Sequence, residues 1–242
     1  MADIYRIKSV SEVHQMFGLD KPKHPLITII RKWPQIDFDF GNVKLTSELY
    51  LLSMKGKMKG TTFQYGKNSY DFDDGTLVFL APNQVASFAD PIEELDDSGW
   101  TILFHPDLIR KSELGKVIRN YSFFNYETNE ALHLSDKEKQ SLFELVKKID
   151  LELNQNIDKH SQEIIIQNLE SILKYSNRYY DRQFYTRTNL NKDFVSKFEQ
   201  YLQSYFSSSD LSEMGIPSVK QCGEAMNMSG SYLSDLLKIE TG

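Results

Sequence analysis

The sequence predicts an α+β protein with a β-rich first part, a helical middle and a pair of short helices at its end. Three observations carry this prediction: short β-branched and aromatic runs fill residues 26–104, capped helical stripes follow, and two short helical runs close the sequence. With 242 residues, of which 40% are hydrophobic, the chain is long enough to bury a core as one or two domains.

Six runs of strand-forming residues alternate with turn signals in the first part. They are LITII (26–30), SELYLLSM (47–54), TTFQY (61–65), TLVFL (76–80), VASF (85–88) and WTILF (100–104). Glycines at 56, 66, 75 and 99 separate neighbouring runs, as turns with positive φ require. Spacings of about 10 to 15 residues favour a small antiparallel barrel or sandwich over alternating β and α units.

The middle of the chain carries the signals of long amphipathic helices. Residues 135–138 read Ser-Asp-Lys-Glu, which is the pattern of a capping box. An apolar stripe follows at helical spacing: Leu142, Val146, Ile149 and Leu153. These signals predict one helix that ends near Asn154 and a second from about Asp158 to Tyr180 with a wider apolar surface. We expect this surface to form a twofold homodimer, unless both of its sides belong to the core of one chain.

The last segment predicts two short helices joined by a turn, after a helix near residues 192–206. Ser218 can cap the first short helix, and Ser229 can cap the second, which runs from Gly230 to Lys238. Gly223 permits a close crossing of the two helices, and Cys222 is placed in their core. Such a pair is either a structural unit or a DNA-binding helix-turn-helix.

In the DNA-binding interpretation, the outer face of the second helix supplies the contacts to base edges and phosphates in a major groove. The expected DNA-binding residues are Ser231, Tyr232, Ser234, Asp235 and Lys238. The charge balance weakens this interpretation, because residues 186–242 contain five basic and seven acidic side chains and the whole chain has a net charge of -6. Since the sequence stops directly after the second helix, we expect a longer natural protein with more helices and more positive charge.

Enzymes find little support in the sequence. The five histidines never occur as H-x-H, H-x-x-H or H-x-x-x-H; they are His14, His24, His105, His133 and His160. No local pair can therefore begin a metal site. The chain also lacks a G-x-S-x-G elbow and a phosphate-binding glycine loop. We expect no catalytic residues, no metal and no cofactor.

Cysteine usage and hydropathy predict a cytoplasmic location. Cys222 is the single cysteine, so the chain has no internal disulfide. No apolar run approaches the roughly 18 residues of a membrane-spanning helix, and the N-terminal residues lack the apolar region of a signal peptide. We expect no membrane partner.

Three segments together indicate a family. The final residues read Ser229-x-Ser231-Tyr232-Leu233-Ser234-Asp235-Leu236-Leu237-Lys238-x-Glu240-Thr241-Gly242. Upstream stand Gly75-x-Leu77-x-Phe79-Leu80-x-Pro82-x-Gln84 with Gly99-Trp100-x-x-Leu103-Phe104-His105-Pro106-Asp107-Leu108, and then Asn177-Arg178-Tyr179-Tyr180-Asp181-Arg182-Gln183-Phe184. The final pattern resembles the first helix-turn-helix of the AraC family of bacterial transcription regulators, and the upstream patterns resemble that family's sensor and linker regions.

The resemblance implies a cupin-like sensor barrel over residues 1–106, a helical dimerisation region over 107–185 and the first part of a DNA-binding domain over 186–242. It implies a homodimeric transcription regulator that binds double-stranded DNA. A small effector in the barrel is expected to contact four aromatic residues, each of which suits the packed core equally well: Trp33, Tyr50, Phe63 and Trp100. Family members often have Ala where Gly223 stands and Pro where Gly230 stands.

Two alternatives from other classes stay open. One is a metal-dependent cupin-fold enzyme, although metal-binding cupins carry a His-x-His pair and a later His, and Ala86 and Ser87 stand where a histidine is expected. The other is a dimeric interaction scaffold, which would have no affinity for DNA.

Overall fold

Two sheets and seven α-helices make up the described part of the chain. The structure is a computed structural model and describes residues 4–34, 44–55, 63–65, 68–70, 75–88, 99–126, 130–156, 158, 160–186, 188–207 and 215–241. The strands are β1 (Ile4–Ile7), β2 (Ile27–Ile30), β3 (Lys44–Ser47), β4 (Tyr50–Lys55), β5 (Phe63–Tyr65), β6 (Asn68–Tyr70), β7 (Thr76–Leu80), β8 (Val85–Phe88), β9 (Trp100–Phe104) and β10 (Leu132–His133). The helices are α1 (Val10–Met16), α2 (Glu113–Val117), α3 (Asp136–Leu153), α4 (Ser161–Thr186), α5 (Thr188–Phe206), α6 (Val219–Ala225) and α7 (Gly230–Thr241). The predicted α+β class is confirmed.

The strands form two separate sheets of five strands. Their orders are β1-β3-β8-β5-β6 and β10-β7-β4-β9-β2. Neighbouring strands pair antiparallel, except for β1 and β3, which run parallel. Each sheet ends in edge strands, so a single closed barrel is not found among the residues that the structure describes. The inner faces of the sheets meet instead in one apolar cluster that includes Leu45 of β3 and Leu103 of β9.

Strand β9 is the centre of the core. All five of its residues are buried, and it pairs with β4 on one side and β2 on the other. Because side chains alternate along a strand, Trp100, Ile102 and Phe104 share the face that packs against the long helices. Thr101 and Leu103 occupy the opposite face, towards the first sheet and α1. The unbroken apolar run WTILF follows from this burial on both faces.

Helix α3 confirms the predicted capping box and stripe. The Ser135 hydroxyl accepts from the Glu138 amide, Glu138 accepts from the Ser135 amide, and the helix ends at Leu153. The buried residues are those of the predicted stripe: Leu142, Val146, Ile149 and Leu153. None of the helices within the described ranges combines the length and the apolar character needed to cross a membrane.

Helix α4 runs further than predicted, from Ser161 to Thr186, and uses most of its apolar surface inside the chain. Its fully covered residues are Ile165, Leu169, Ile172 and Leu173. Ile164, Tyr175 and Tyr185 stay 40%, 39% and 76% exposed. The intramolecular alternative therefore accounts for most of the wide apolar surface, and dimerisation stays a prediction for the exposed residues.

The sequence prediction missed helix α1 and strands β1, β3, β6 and β10. A capping signal for α1 was present, because Ser9 accepts from the Glu12 amide at 3.2 Å and Glu12 accepts from the Lys8 amide at 2.6 Å. Val10 and Val13 of this helix are buried against the first apolar cluster. The missed strands are short, and a two-residue strand such as β10 has no periodicity to detect.

His24 makes the fold sensitive to acid. Its ring is buried, and its Nδ1 accepts from the Leu26 amide at 3.1 Å, so the folded protein holds it neutral. Burial lowers the pKa of His24 below its ordinary value of 6.5. The unfolded chain thus takes up a proton near pH 6.5 that the folded chain refuses.

We expect the free energy of unfolding to fall as the pH drops below about 6.5, by at most about 1.4 kcal/mol per pH unit. Urea titrations between pH 7.5 and 5.5 measure this slope. In His24→Asn, an amide oxygen can accept from the same amide without titrating, so the slope should flatten. Parallel curves for the wild type and His24→Asn would contradict the assignment.

Candidate nucleic-acid interface

Helices α6 and α7 are joined by a four-residue turn, as the sequence predicted. The Ser218 hydroxyl accepts from the Gln221 amide and closes a capping box at the start of α6. Asn227 in the turn has φ +56, a left-handed conformation that Asn tolerates better than most residues. The Ser229 hydroxyl accepts from the Tyr232 amide at 3.1 Å and caps α7. Both predicted caps are confirmed, and Cys222 is buried as expected.

Gly223 brings the two helices into close contact. A Cβ atom at this position would lie 2.7 Å from the Met228 carbonyl oxygen and 2.8 Å from the Gly230 amide nitrogen. The Gly223 carbonyl also accepts from the Met228 amide at 2.9 Å. Because the obstructing atoms belong to the backbone, a side chain here would force α7 away from α6.

A strip of polar side chains runs along α7 on the side opposite its buried residues. Ser231, Ser234 and Lys238 follow one another at helical spacing and are half-buried, half-buried and exposed. The Ser234 hydroxyl donates to the Gly230 carbonyl at 2.8 Å. The Lys238 ammonium lies 3.5 Å from an Asp235 oxygen and is 76% exposed. An exposed ion pair of this kind contributes little to stability, so Lys238 can leave Asp235 and pair with another anion.

Tyr232 does not lie on this outer strip, and its expected outward position is wrong. It is 7% exposed, and its ring packs on Tyr126 at 5.2 Å and on Phe184 at 4.8 Å. The helical period places Tyr232 one turn before buried Leu236, on the core side of α7. The four-residue spacing from Tyr232 to Leu236 was visible in the sequence. It places Tyr232 on the side of the helix opposite Ser231 and Ser234.

Asp235 lies at the border of the strip and is engaged within the chain. Its carboxylate accepts from the Tyr126 hydroxyl at 2.6 Å, and its side chain is 21% exposed. Burial, followed by the hydrogen bond to the Asp235 carboxylate, raises the pKa of Tyr126 far above its usual range. Tyr126 is therefore a neutral donor at any physiological pH.

Glu130 is a second residue that sequence reasoning missed. It is 5% exposed, and its two carboxylate oxygens accept from the Ser229 amide and the Ser229 hydroxyl, each at 2.6 Å. A carboxylate beside the first turn of a helix is favourable, because the free amides there carry partial positive charge. Glu130 thus fixes the start of α7 to the body of the protein. A separation of 99 residues in sequence left no local signal for this contact.

The surface of the α6–α7 pair is not positive. In residues 215–241 two lysines stand against three carboxylates. Lys220 lies 3.9 Å from Glu224 on α6, and Lys238 approaches Asp235. Burial, and secondly the charge of Asp235, raise the pKa of the Asp181 carboxyl on α4. DNA binding by this surface would thus depend on shape and a few contacts more than on a strong field.

Trp33 is the expected effector residue that lies between the two sheets. Its ring contacts Phe17 edge-on at 4.6 Å, and its Nε1 donates to the Thr101 hydroxyl at 3.3 Å. The Thr101 hydroxyl is also 2.9 Å from that of Ser53 on β4. A small polar group inside an otherwise apolar layer is a suitable place to orient a ligand.

Two of the other expected effector residues lie in the packed core. Tyr50 is buried beneath the long helices, where its ring stacks on Phe104 at 5.0 Å and meets Phe124 at 5.2 Å. Trp100 is 1% exposed on the same face. Both occupy the packed core, which was the alternative for these residues. The side chain of Phe63 lies outside the described part of the structure.

Comparison with known proteins leaves the family undetermined. No protein-family profile matches the chain, and no curated protein matches it. Among the described residues no group of three or more His, Cys, Asp and Glu side chains is arranged to hold a metal ion.

The close crossing at Gly223 predicts that alanine is more destabilising at position 223 than at position 230. Gly223→Ala should lower the free energy of unfolding by about 1–3 kcal/mol, because its methyl group would overlap backbone atoms of the turn. Gly230→Ala is the matched comparison, since its Cβ would lie no nearer than 3.1 Å to Val219. Urea denaturation should show a cost below about 1 kcal/mol for Gly230→Ala. Equal stabilities of Gly223→Ala and the wild type would contradict the close crossing.

Proposed function

We propose that this protein is a dimeric, sequence-specific DNA-binding transcription regulator of the AraC type. The observation that carries the proposal is the α6–α7 pair, in which a glycine contact, two capped helices and an outward polar strip occur together. A B-form major groove admits one α-helix. Serine hydroxyls at 231 and 234 suit base edges, and the Lys238 ammonium suits a phosphate.

The facing sheets support a sensor role for the first part of the chain. Their arrangement suits the cupin-like fold that the sequence resemblance implies. The polar group of Trp33, Thr101 and Ser53 is the place at which a small effector with hydroxyl or carbonyl groups would bind. A bound effector regulates DNA binding only if its affinity differs between two arrangements of the chain.

The helical layer supports dimerisation. Ile164, Tyr175 and Tyr185 on α4 are exposed apolar residues, and Leu151 on α3 is 55% exposed. A twofold dimer repeats one patch on both partners, and two copies of α7 would then address two half-sites.

Selection from a random duplex library tests the function directly, because it needs no prior operator. We expect the 242-residue chain to enrich one duplex motif at low salt. Lys238→Ala should weaken binding to all duplexes and reduce the slope of log affinity against log salt by about 1. Ser231→Ala and Ser234→Ala should relax the preference at single base positions.

Lys148→Ala is the matched control, since Lys148 is an exposed lysine on α3. This variant should keep both the affinity and the salt slope of the wild type. If the chain enriches no motif and Lys238→Ala binds duplexes as the wild type does, the α6–α7 pair is not a DNA-binding unit. The interaction scaffold would then be the better interpretation.

A further inference from the structure

The α6–α7 pair is attached to the body of the protein by two hydrogen-bonding carboxylates and a set of aromatic rings. We propose that Tyr126 and Glu130 form a latch that holds α7 in a docked state with reduced affinity for DNA. The proposal rests on the DNA-binding function above. Opening of the latch is then the step that a regulatory signal controls.

Glu130 supplies the first half of the latch. A buried carboxylate is stable only when it is hydrogen-bonded, and Glu130 accepts two bonds of 2.6 Å from Ser229. Such charge-assisted bonds are about twice as strong as neutral ones. Because Ser229 also caps α7, displacement of Glu130 removes a support from the first turn of that helix.

Tyr126 supplies the second half. It is 6% exposed, donates to Asp235 at 2.6 Å, and meets the Tyr232 ring edge-on at 5.2 Å. Phe184 contacts the same Tyr232 ring at 4.8 Å. Helix α7 is therefore held along one side over its first two turns.

The latch lies beside the strip that would enter DNA. Asp235 is one helical turn after Ser231, so Tyr126 occupies the border of the strip of Ser231, Ser234 and Lys238. The 3₁₀ turn Ser122–Asn125 packs on α7 next to it. A helix with its side chains is about 10–12 Å wide and nearly fills a major groove of about 12 Å. A groove that α7 fills has no room for a second segment.

Aromatic rings connect the latch to the second sheet. Phe79 of β7 contacts Phe123 at 4.4 Å, and Phe123 stacks on Tyr180 at 5.5 Å. Tyr180 in turn meets Tyr126 at 5.2 Å, and Tyr126 meets Tyr232 on α7. A shift of β7 against the helices therefore displaces the residue that holds Asp235.

Two variants weaken the latch while preserving its shape. Tyr126→Phe removes the hydroxyl and keeps the ring, and Glu130→Gln removes the charge and keeps the side-chain volume. Glu48→Gln is the matched control, because Glu48 is also a half-buried carboxylate with a charged partner, Arg6 at 3.0 Å, and it lies between β3 and β4. Thermal unfolding by circular dichroism verifies that each variant folds.

Amide hydrogen exchange and duplex affinity are measured on the full chain. We expect exchange of the α7 amides to rise about tenfold in Tyr126→Phe and Glu130→Gln, as the loss of one hydrogen bond to a charged group implies. Affinity for the selected duplex, or for a mixed 20-base-pair duplex at low salt, should rise in both. Glu48→Gln should change neither quantity.

The outcomes separate the two proposals. Unchanged α7 exchange in both variants would overturn the latch. Faster α7 exchange with unchanged or lower duplex affinity would show that the docked state does not inhibit DNA binding. Faster exchange in chains that bind no duplex at all would instead overturn the proposed function on which the inhibition rests.

Discussion

Burial of β9 between two apolar layers is the constraint on which the remaining structure depends. One face of this strand is covered by α3 and α4, and the other meets the first sheet and α1. Removing apolar surface from water is the dominant favourable contribution to folding, and it is roughly proportional to the area buried. The long helices are therefore held on the second sheet by the same contacts that stabilise the sheet.

The C-terminal part of α4 makes hydrogen bonds that hold the segment preceding α3 in place. Gln183 accepts from the His133 amide at 2.9 Å, and the Tyr180 hydroxyl donates to the Glu130 carbonyl at 3.3 Å. Arg182 binds Glu138 through two hydrogen bonds and donates to the His133 carbonyl at 2.7 Å. Residues 130–138 are thus fixed at several points, which places the Glu130 carboxylate at the start of α7. The position of the candidate DNA-binding helix follows from contacts made by α4.

The same junction bears on how an acidic chain could contain the proposed DNA-binding element. Part of the negative charge near α7 is used internally, since Glu130 and Asp235 accept hydrogen bonds from Ser229 and Tyr126. On the proposed function, a docked α7 with few free cations would have little attraction for DNA, and release of the contacts that hold it would be the regulated step. Gly223 contributes to this arrangement because its missing side chain lets α7 lie close to α6. An alanine there would require a wider crossing.

Local patterns in the sequence determined the fold class and most of the helices and strands. The strand TLVFL and the capped helix after Ser135 were predictable because alternation, helical period and capping act over a few residues. The polar strip of α7 was predictable in part. The helical spacing of Tyr232, Leu233 and Leu236 places Tyr232 on the buried side of the helix, away from the strip. Tertiary structure alone decided that Tyr232 packs on Tyr126, that Glu130 accepts from Ser229 at the start of α7, and that the strands form two sheets. These contacts join residues about 100 positions apart, and no pattern within a short window specifies which distant side chains will meet.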